Sequence, residues 1–352
     1  MNDFQEYFIH EFVTEYKQGH MSRRDMIRRV MYIMGGVAST ATLLSAMGCG
    51  PGQQAGPTPA PATKAVEKPV AAASASPSPI ATSASVASPS PAAAASPSPS
   101  PAVARSPLSV PANDPSIDMA DITFPGDGAT IMAYQAKPKG DGPFPLVLVC
   151  HQNRGLDDHI RDVTRRLAKE GYVGCAVDLL SREGGTRGIT DPARIPALLT
   201  GTAGQAVPPE RHVGDFQAAL RFYATQPIVR NGAYGMTGFC FGGGIVWRTA
   251  TKAPELKAAV PWYGAPPPLQ DVPGIKAAVF GIYSSDPNDF ANRGRDELEA
   301  ALKQAGVAYQ LKVYPGTMHA FNDDTNPSAY NQEQSGAAWK DMLDWFARYL
   351  KA

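Results

Sequence analysis

The sequence predicts an α/β protein built on a mainly parallel sheet, and three observations lead there. Beyond Asp114, short β-rich runs alternate with segments of helical period. Several of these runs are apolar on both faces, as buried parallel strands must be. A glycine-rich turn, Gly238-Phe239-Cys240-Phe241-Gly242, then joins one strand directly to a helical pattern.

Taken in order, strands are expected at 121–124, 130–135, 146–150, 173–177, 233–237, 258–261, 277–283 and 309–314, about eight in all. Helices are expected at 158–170, where Ile160, Val163 and Leu167 fall on one face, and at the chain end, where Ala338, Met342, Trp345 and Tyr349 do the same. Residues 181–208, rich in Gly, Pro and Thr, read as a long excursion above the sheet, where loops tend to carry function.

The chain has 352 residues, of which 33 are proline, so one core of ordinary size is the simpler expectation. Lys plus Arg equals Asp plus Glu at 32 each, which leaves no net field to draw in nucleic acid or an anionic membrane. A small molecule is the expected partner. The four cysteines, Cys49, Cys150, Cys175 and Cys240, are widely spaced with no CxxC pair, so neither a zinc site nor a disulfide framework is signalled.

Residues 1–49 read as an address. After a polar start comes Ser22-Arg23-Arg24-Asp25-Met26-Ile27-Arg28-Arg29, then a weakly apolar run from Val30 to Gly48 without a charge. The pattern resembles a twin-arginine export signal, with Met26 where Phe is usual and Arg28 where Lys is usual. The alternative, a transmembrane anchor, is weakened by Gly35, Gly36, Ser39, Thr40, Thr42 and Ser45 in a run that barely reaches the ~20 residues needed to span a bilayer. A small residue before a lone cysteine, Gly48-Cys49, resembles a lipoprotein processing site, although Ala46 stands where Leu is usual. Cys49 is thus a lipidation candidate beside a plain cleavage site. The protein is expected in the cell envelope or outside the cell, on the membrane only through the signal or a lipid. Residues 50–113, Ala, Ser, Pro and Thr with repeated Ser-Pro, offer almost nothing to bury and read as a disordered tether. The folded domain is then 114–352.

Gly238-Phe239-Cys240-Phe241-Gly242 has the form Gly-x-Cys-x-Gly, a nucleophile elbow with sulfur in place of the serine oxygen. Such a turn strains the nucleophile's backbone and crowds strand against helix, so the flanking glycines are a steric need. It also puts Cys240 at a helix N-terminus, which favours thiolate. No Lys follows as in a phosphate-binding loop. In the α/β-hydrolase order of nucleophile, acid and histidine, only His319 follows Cys240, and it lies between the last strand and the last helix. The orienting acid should follow the strand at 277–283. Asp286 is favoured as the nearer, with Asp289 the alternative and Asn288 a conceivable orienting amide.

From about Ile117 to the end the chain resembles the dienelactone hydrolase (carboxymethylenebutenolidase) family. The likeness rests on His151-Gln152-Asn153-Arg154-Gly155-Leu156, Arg161-Asp162-Val163, Gly171-Tyr172-Val173, the Cys240 elbow, Trp262-Tyr263-Gly264 and His319-Ala320-Phe321-Asn322. It implies an α/β-hydrolase fold with a sheet of about eight strands and a Cys/Asp/His triad. It also implies ester or lactone cleavage through a thioester, with no metal or cofactor. The family's oxyanion hole carries over to the backbone N–H groups of Phe241 and Asn153, and its substrate pocket to Gln152 and Tyr263. Two positions depart from the family: Gln152 stands where Glu is usual, and Asn322-Asp323-Asp324 stands where a substrate-binding arginine is found. The first leaves Cys240 to rely on His319 and the helix terminus for its ionisation; the second points away from dienelactone itself and leaves ester or lactone cleavage. Set against this hydrolase are an envelope binding protein on the same fold, which has lost turnover, and an acyl transferase using the same cysteine.

Overall fold

The middle of the molecule is made by strands with no polar face. Every residue from Leu146 to Cys150 is fully buried, as is Val173 and the run from Cys175 to Val177. Only a sheet covered by helices on both sides can hold them. The computed structural model describes residues 1–49 and 105–351. Three helices come first: α1 (Asp3–Lys17), α2 (Arg23–Met34) and α3 (Val37–Ala46). Then follow β1 (Ile117–Gly126), β2 (Ala129–Pro138), β3 (Phe144–Cys150), α4 (Asp158–Lys169) and β4 (Val173–Val177). The excursion above the sheet contains α5 (Ile195–Thr200) and a small hairpin, β5 (Gly201–Thr202) with β6 (Gln205–Ala206). It leads into α6 (Pro209–Tyr223), β7 (Val229–Phe239), α7 (Phe241–Lys252) and β8 (Ala258–Trp262). The chain closes with β9 (Ala278–Ser284), α8 (Arg295–Gln304), β10 (Tyr309–Tyr314) and α9 (Gln332–Leu350).

The eight-stranded sheet has the order β1-β2-β4-β3-β7-β8-β9-β10. β2 pairs antiparallel with β1 and β4, and from β4 through β10 all pairs are parallel. Each sequence-predicted strand is present. α4 and α9 lie together on one face, where the Arg166 guanidinium sits 5.9 Å from the Trp339 ring. α6 and α7 cover the other. Parallel strands send all their carboxyl ends to one edge, which is where such sheets build sites.

Of the tether expected at 50–113, residues 50–104 lie outside the described residues, and residues 105–113 are instead held against the domain. The Ser106 N–H donates to Asp324 at 2.8 Å, the Val110 N–H to Asp162 at 2.7 Å, and Arg165 Nε to the Val110 carbonyl at 2.6 Å. These bonds use backbone groups, so a low-complexity composition does not forbid them. Among chains lacking the N-terminal segment, one that begins at Asp114 should melt roughly 5–10 °C below one that begins at Arg105, because buried carboxylates lose their donors. Equal melting temperatures would contradict this.

Residues 1–49, expected to be a leader, form helices packed on the domain. No helix among the described residues is long and apolar enough to cross a membrane.

Candidate active site

The elbow forms as its glycines require. Cys240 has φ 57°, a left-handed conformation that costs a non-glycine residue energy and that such turns impose on the nucleophile. A Cβ on Gly238 would meet the Gly242 carbonyl oxygen at 2.6 Å and Cys150 Cβ at 2.8 Å. One on Gly242 would meet the Cys150 and His151 carbonyl oxygens at 2.5 Å each. Neither position can carry a side chain while β3 and the turn adjoin. The Cys240 N–H donates to the Trp262 carbonyl at 3.0 Å, which fixes the turn to β8.

His319 follows β10 and faces the elbow. Its Nδ1 donates to Asp289 Oδ1 at 3.0 Å, with the ring 5.0 Å from Tyr263 and 4.6 Å from Phe290. Asp289 is itself held: its carboxylate accepts from the Ser284 hydroxyl and from the Ala291 N–H at 2.9 Å. The acid favoured from sequence, Asp286, is not the one in contact. It accepts from the Asn288 N–H at 2.8 Å and from Gln18 Nε2 at 3.3 Å, away from the imidazole. Asn288 is exposed. The cause is a turn after β9, closed by the Asp289 N–H on the Asp286 carbonyl at 3.0 Å, which brings the later residue back under the histidine.

Burial disfavours the imidazolium of His319, but the Asp289 carboxylate and Cys240 outweigh it and raise its pKa well above the usual value. Burial also penalises the Asp289 carboxylate, yet His319 keeps its pKa low. The Cys240 thiol is pushed up to about 11, first by burial and then by the Glu11 carboxylate, against the opposite pull of His319 and Tyr7.

Phe241 is the first residue of α7, so its N–H has no acceptor within the helix, and Asn153 lies in the loop after β3. Both expected oxyanion residues therefore sit beside the elbow. Gln152 lines a cleft with Arg154, Arg29 and Glu15. Tyr263 does not line it: it is fully buried between His319 and Phe321 and backs the histidine. Asp323 and Asp324, where the family has an arginine, are structural. Gln152 Nε2 donates to Asp323 at 3.3 Å, while Asp324 binds His159 at 2.9 Å and Arg166 at 2.9 Å, tying the histidine loop to α4. His151 likewise works on backbone, between the Gln152 carbonyl at 2.7 Å and the Leu179 N–H at 3.2 Å.

Restoring the family's acid at 152 is expected to fail. Gln152→Glu sets two buried carboxylates face to face, so it should cost ~1–3 kcal/mol of stability, read by denaturant unfolding. A variant as stable as the parent would show that the pair is accommodated.

Two further residues at the elbow cysteine come from α1. The Tyr7 hydroxyl lies 3.3 Å from Cys240 Sγ, and Glu11 Oε1 lies 3.6 Å from the same sulfur. Glu11 Oε1 also accepts from Asn153 Nδ2 at 2.8 Å. One donor or acceptor atom each of Glu11, Cys240 and His319 lie within 4.8 Å of one another. Burial, then neighbouring Glu15, raise the Glu11 pKa to about 7. The sequence did carry a signal for α1: Phe4, Phe8 and Phe12 recur every fourth residue, with Tyr7 and Glu11 one position before the latter two.

The model of the family described as "Dienelactone hydrolase family" matches residues 131–350. A protein of Escherichia coli (strain K12) named "Putative carboxymethylenebutenolidase" is 35% identical over 242 residues, 64% of this chain and 86% of that protein. One of Salmonella typhi with the same name is 35% identical over 251 residues, 67% of this chain and 89% of its own length. Among solved structures, one titled "Putative Dienelactone Hydrolase" from Klebsiella pneumoniae superposes with a TM-score of 0.59 at 33% identity, covering 66% of this chain and 99% of its own. The chain belongs to the dienelactone hydrolase family and is a hydrolase of that type on the α/β-hydrolase fold.

Proposed function

We propose that the protein hydrolyses a small carboxylic ester or lactone through an acyl-thioester on Cys240. The observation that carries this is a strained elbow cysteine facing a histidine whose other ring nitrogen is held by a buried carboxylate. His319 takes the thiol proton as Sγ bonds to the carbonyl carbon, and the N–H groups of Phe241 and Asn153 receive the oxyanion. The carbonyl re-forms, the alkoxide leaves, and His319 gives it the proton. Water then attacks the thioester, passing its proton through His319 back to sulfur, and the acid departs. Asp289 holds the imidazole in the tautomer that can accept from sulfur. A panel of fluorogenic esters tests the reading, with iodoacetamide-treated protein beside it. Hydrolysis that disappears as Cys240 is alkylated supports it, and hydrolysis that survives alkylation of Cys240 refutes it.

We propose further that residues 1–49 serve as a twin-arginine-type export leader, with Cys49 the candidate for lipidation, the membrane being reached through the signal or that lipid. The Arg23-Arg24 pair and the uncharged run behind it support this. Arg23→Lys with Arg24→Lys should keep the protein in the cytosol; unchanged export would refute it.

A further inference from the structure

The part of the chain matched by the family model begins at residue 131. The Klebsiella structure is covered over 99% of its length by 66% of this chain. The family's matched region therefore does not include α1–α3. Yet these helices are seated on the domain by specific contacts. Asn2 caps α1 by accepting the Gln5 N–H at 2.9 Å, and its amide donates to the Val207 carbonyl at 3.1 Å. Gln5 Nε2 donates to the carbonyls of Thr200 and Thr202 at 3.2 and 3.1 Å. The rings of Phe4 and Phe8 lie 4.9 and 5.3 Å from Phe241, the residue after the nucleophile. α2 continues the cover, with Tyr32 and Arg28 both on Asp191 and the Ile33 carbonyl accepting the Ala203 N–H at 2.7 Å.

What α1 delivers is a closed nucleophile. A carbonyl that Sγ attacks must come to within about 3–3.5 Å of it. The Tyr7 hydroxyl and the Glu11 carboxylate already stand at 3.3 and 3.6 Å, and Cys240 is 1% exposed. Glu11 Oε1 is held by Asn153, so a carboxylate sits between the sulfur and the loop that receives the oxyanion. That is where the acid product of the proposed reaction would lie. The same carboxylate works against ionisation of the thiol. The aromatic seat holds the helix down, and the Glu11 side chain fills the approach to the sulfur.

We propose that α1 is an autoinhibitory cap: Glu11 occupies the acyl-acid position at Cys240, Tyr7 closes the approach, and turnover requires the helix to leave. This rests on the hydrolase reading of Cys240. The residues that cover the nucleophile are also those that read as an export leader. Capture of the leader by a translocon, or cleavage at residue 49, would therefore uncover the enzyme only as it leaves the cytoplasm.

The test uses the full chain and two readouts: the rate of alkylation of Cys240 by iodoacetamide, mapped by peptide mass to separate it from Cys49, Cys150 and Cys175, and ester hydrolysis in the same samples. Phe8→Asp puts a charge into the aromatic seat without touching Cys240 or His319, and Glu11→Ala removes only the side chain in the acyl position. If the open state is about a tenth of the population, Phe8→Asp should raise both rates about tenfold. Glu11→Ala should raise them less. Should Phe8→Asp unfold the domain, Glu11→Ala decides alone. Alkylation unchanged or slower in folded variants overturns the cap, as does a fall in hydrolysis by Glu11→Ala, which would make Glu11 part of the chemistry. Faster alkylation with no hydrolysis in any form keeps the cap and refutes the hydrolase.

Discussion

Cys240→Ala is expected to lower kcat/KM for any ester the protein turns over by roughly 10⁴-fold or more while leaving the domain folded. The side chain projects from a turn whose shape is set by Gly238, Gly242 and the bond from the Cys240 N–H to Trp262, none of which needs the sulfur. Alanine tolerates the left-handed φ about as poorly as cysteine does, so the strain is unchanged. The hydrogen bonds that the sulfur makes to Tyr7 and Glu11 go to α1, so its loss weakens the cover rather than the core. His319→Ala should cost a comparable amount, and the double variant little more, because a nucleophile and its base act as one unit. Steady-state kinetics on the ester panel, with thermal melts of each variant, are the measurement. A folded Cys240→Ala that still hydrolyses would move the chemistry to another residue.

The sheet was legible because buried parallel strands carry their signature locally: residues 146–150 and 173–177 are apolar throughout, and the elbow is written in five consecutive residues. Three features were hidden for physical reasons. α1 has an aromatic stripe, but Gln5, Glu6, His10, Glu11 and Glu15 dilute it, and its partner Phe241 lies far along the chain. The stripe marks a helix but not its seat, which lies elsewhere in the chain. Residues 105–113 are ordered by backbone N–H groups reaching Asp162 and Asp324, so their Pro- and Ser-rich composition said nothing of the order. The role of Asp323 and Asp324 was hidden for a similar reason. Their partners Gln152, His159 and Arg166 are apart in sequence and meet only when α4 packs beside the histidine loop.

The choice between the two carboxylates after β9 shows where proximity in sequence misleads, and it sets the second large expected effect. Asp289→Asn should reduce kcat by roughly 10²- to 10⁴-fold, while Asp286→Asn should change it less than about twofold. Asp289 is buried, accepts from Ser284 and Ala291, and accepts the hydrogen bond of His319 Nδ1–H at 3.0 Å. With an asparagine there, the amide can donate to Nδ1, which leaves the proton on Nε2. That nitrogen then cannot accept from the Cys240 thiol. The carboxylate also raises the pKa of His319, so its removal should lower that pKa. The acid limb of the pH–rate profile should accordingly move to lower pH, a shift that simple unfolding would not produce. Asp286 has nothing comparable to lose, since it is partly exposed and serves the Asn288 N–H and Gln18. Kinetics of the two variants across pH, with melting curves to confirm that both are folded, separate the assignments. A large loss from Asp286→Asn beside an active Asp289→Asn would mean that the loop rearranges when substrate binds and that the nearer carboxylate orients the histidine after all.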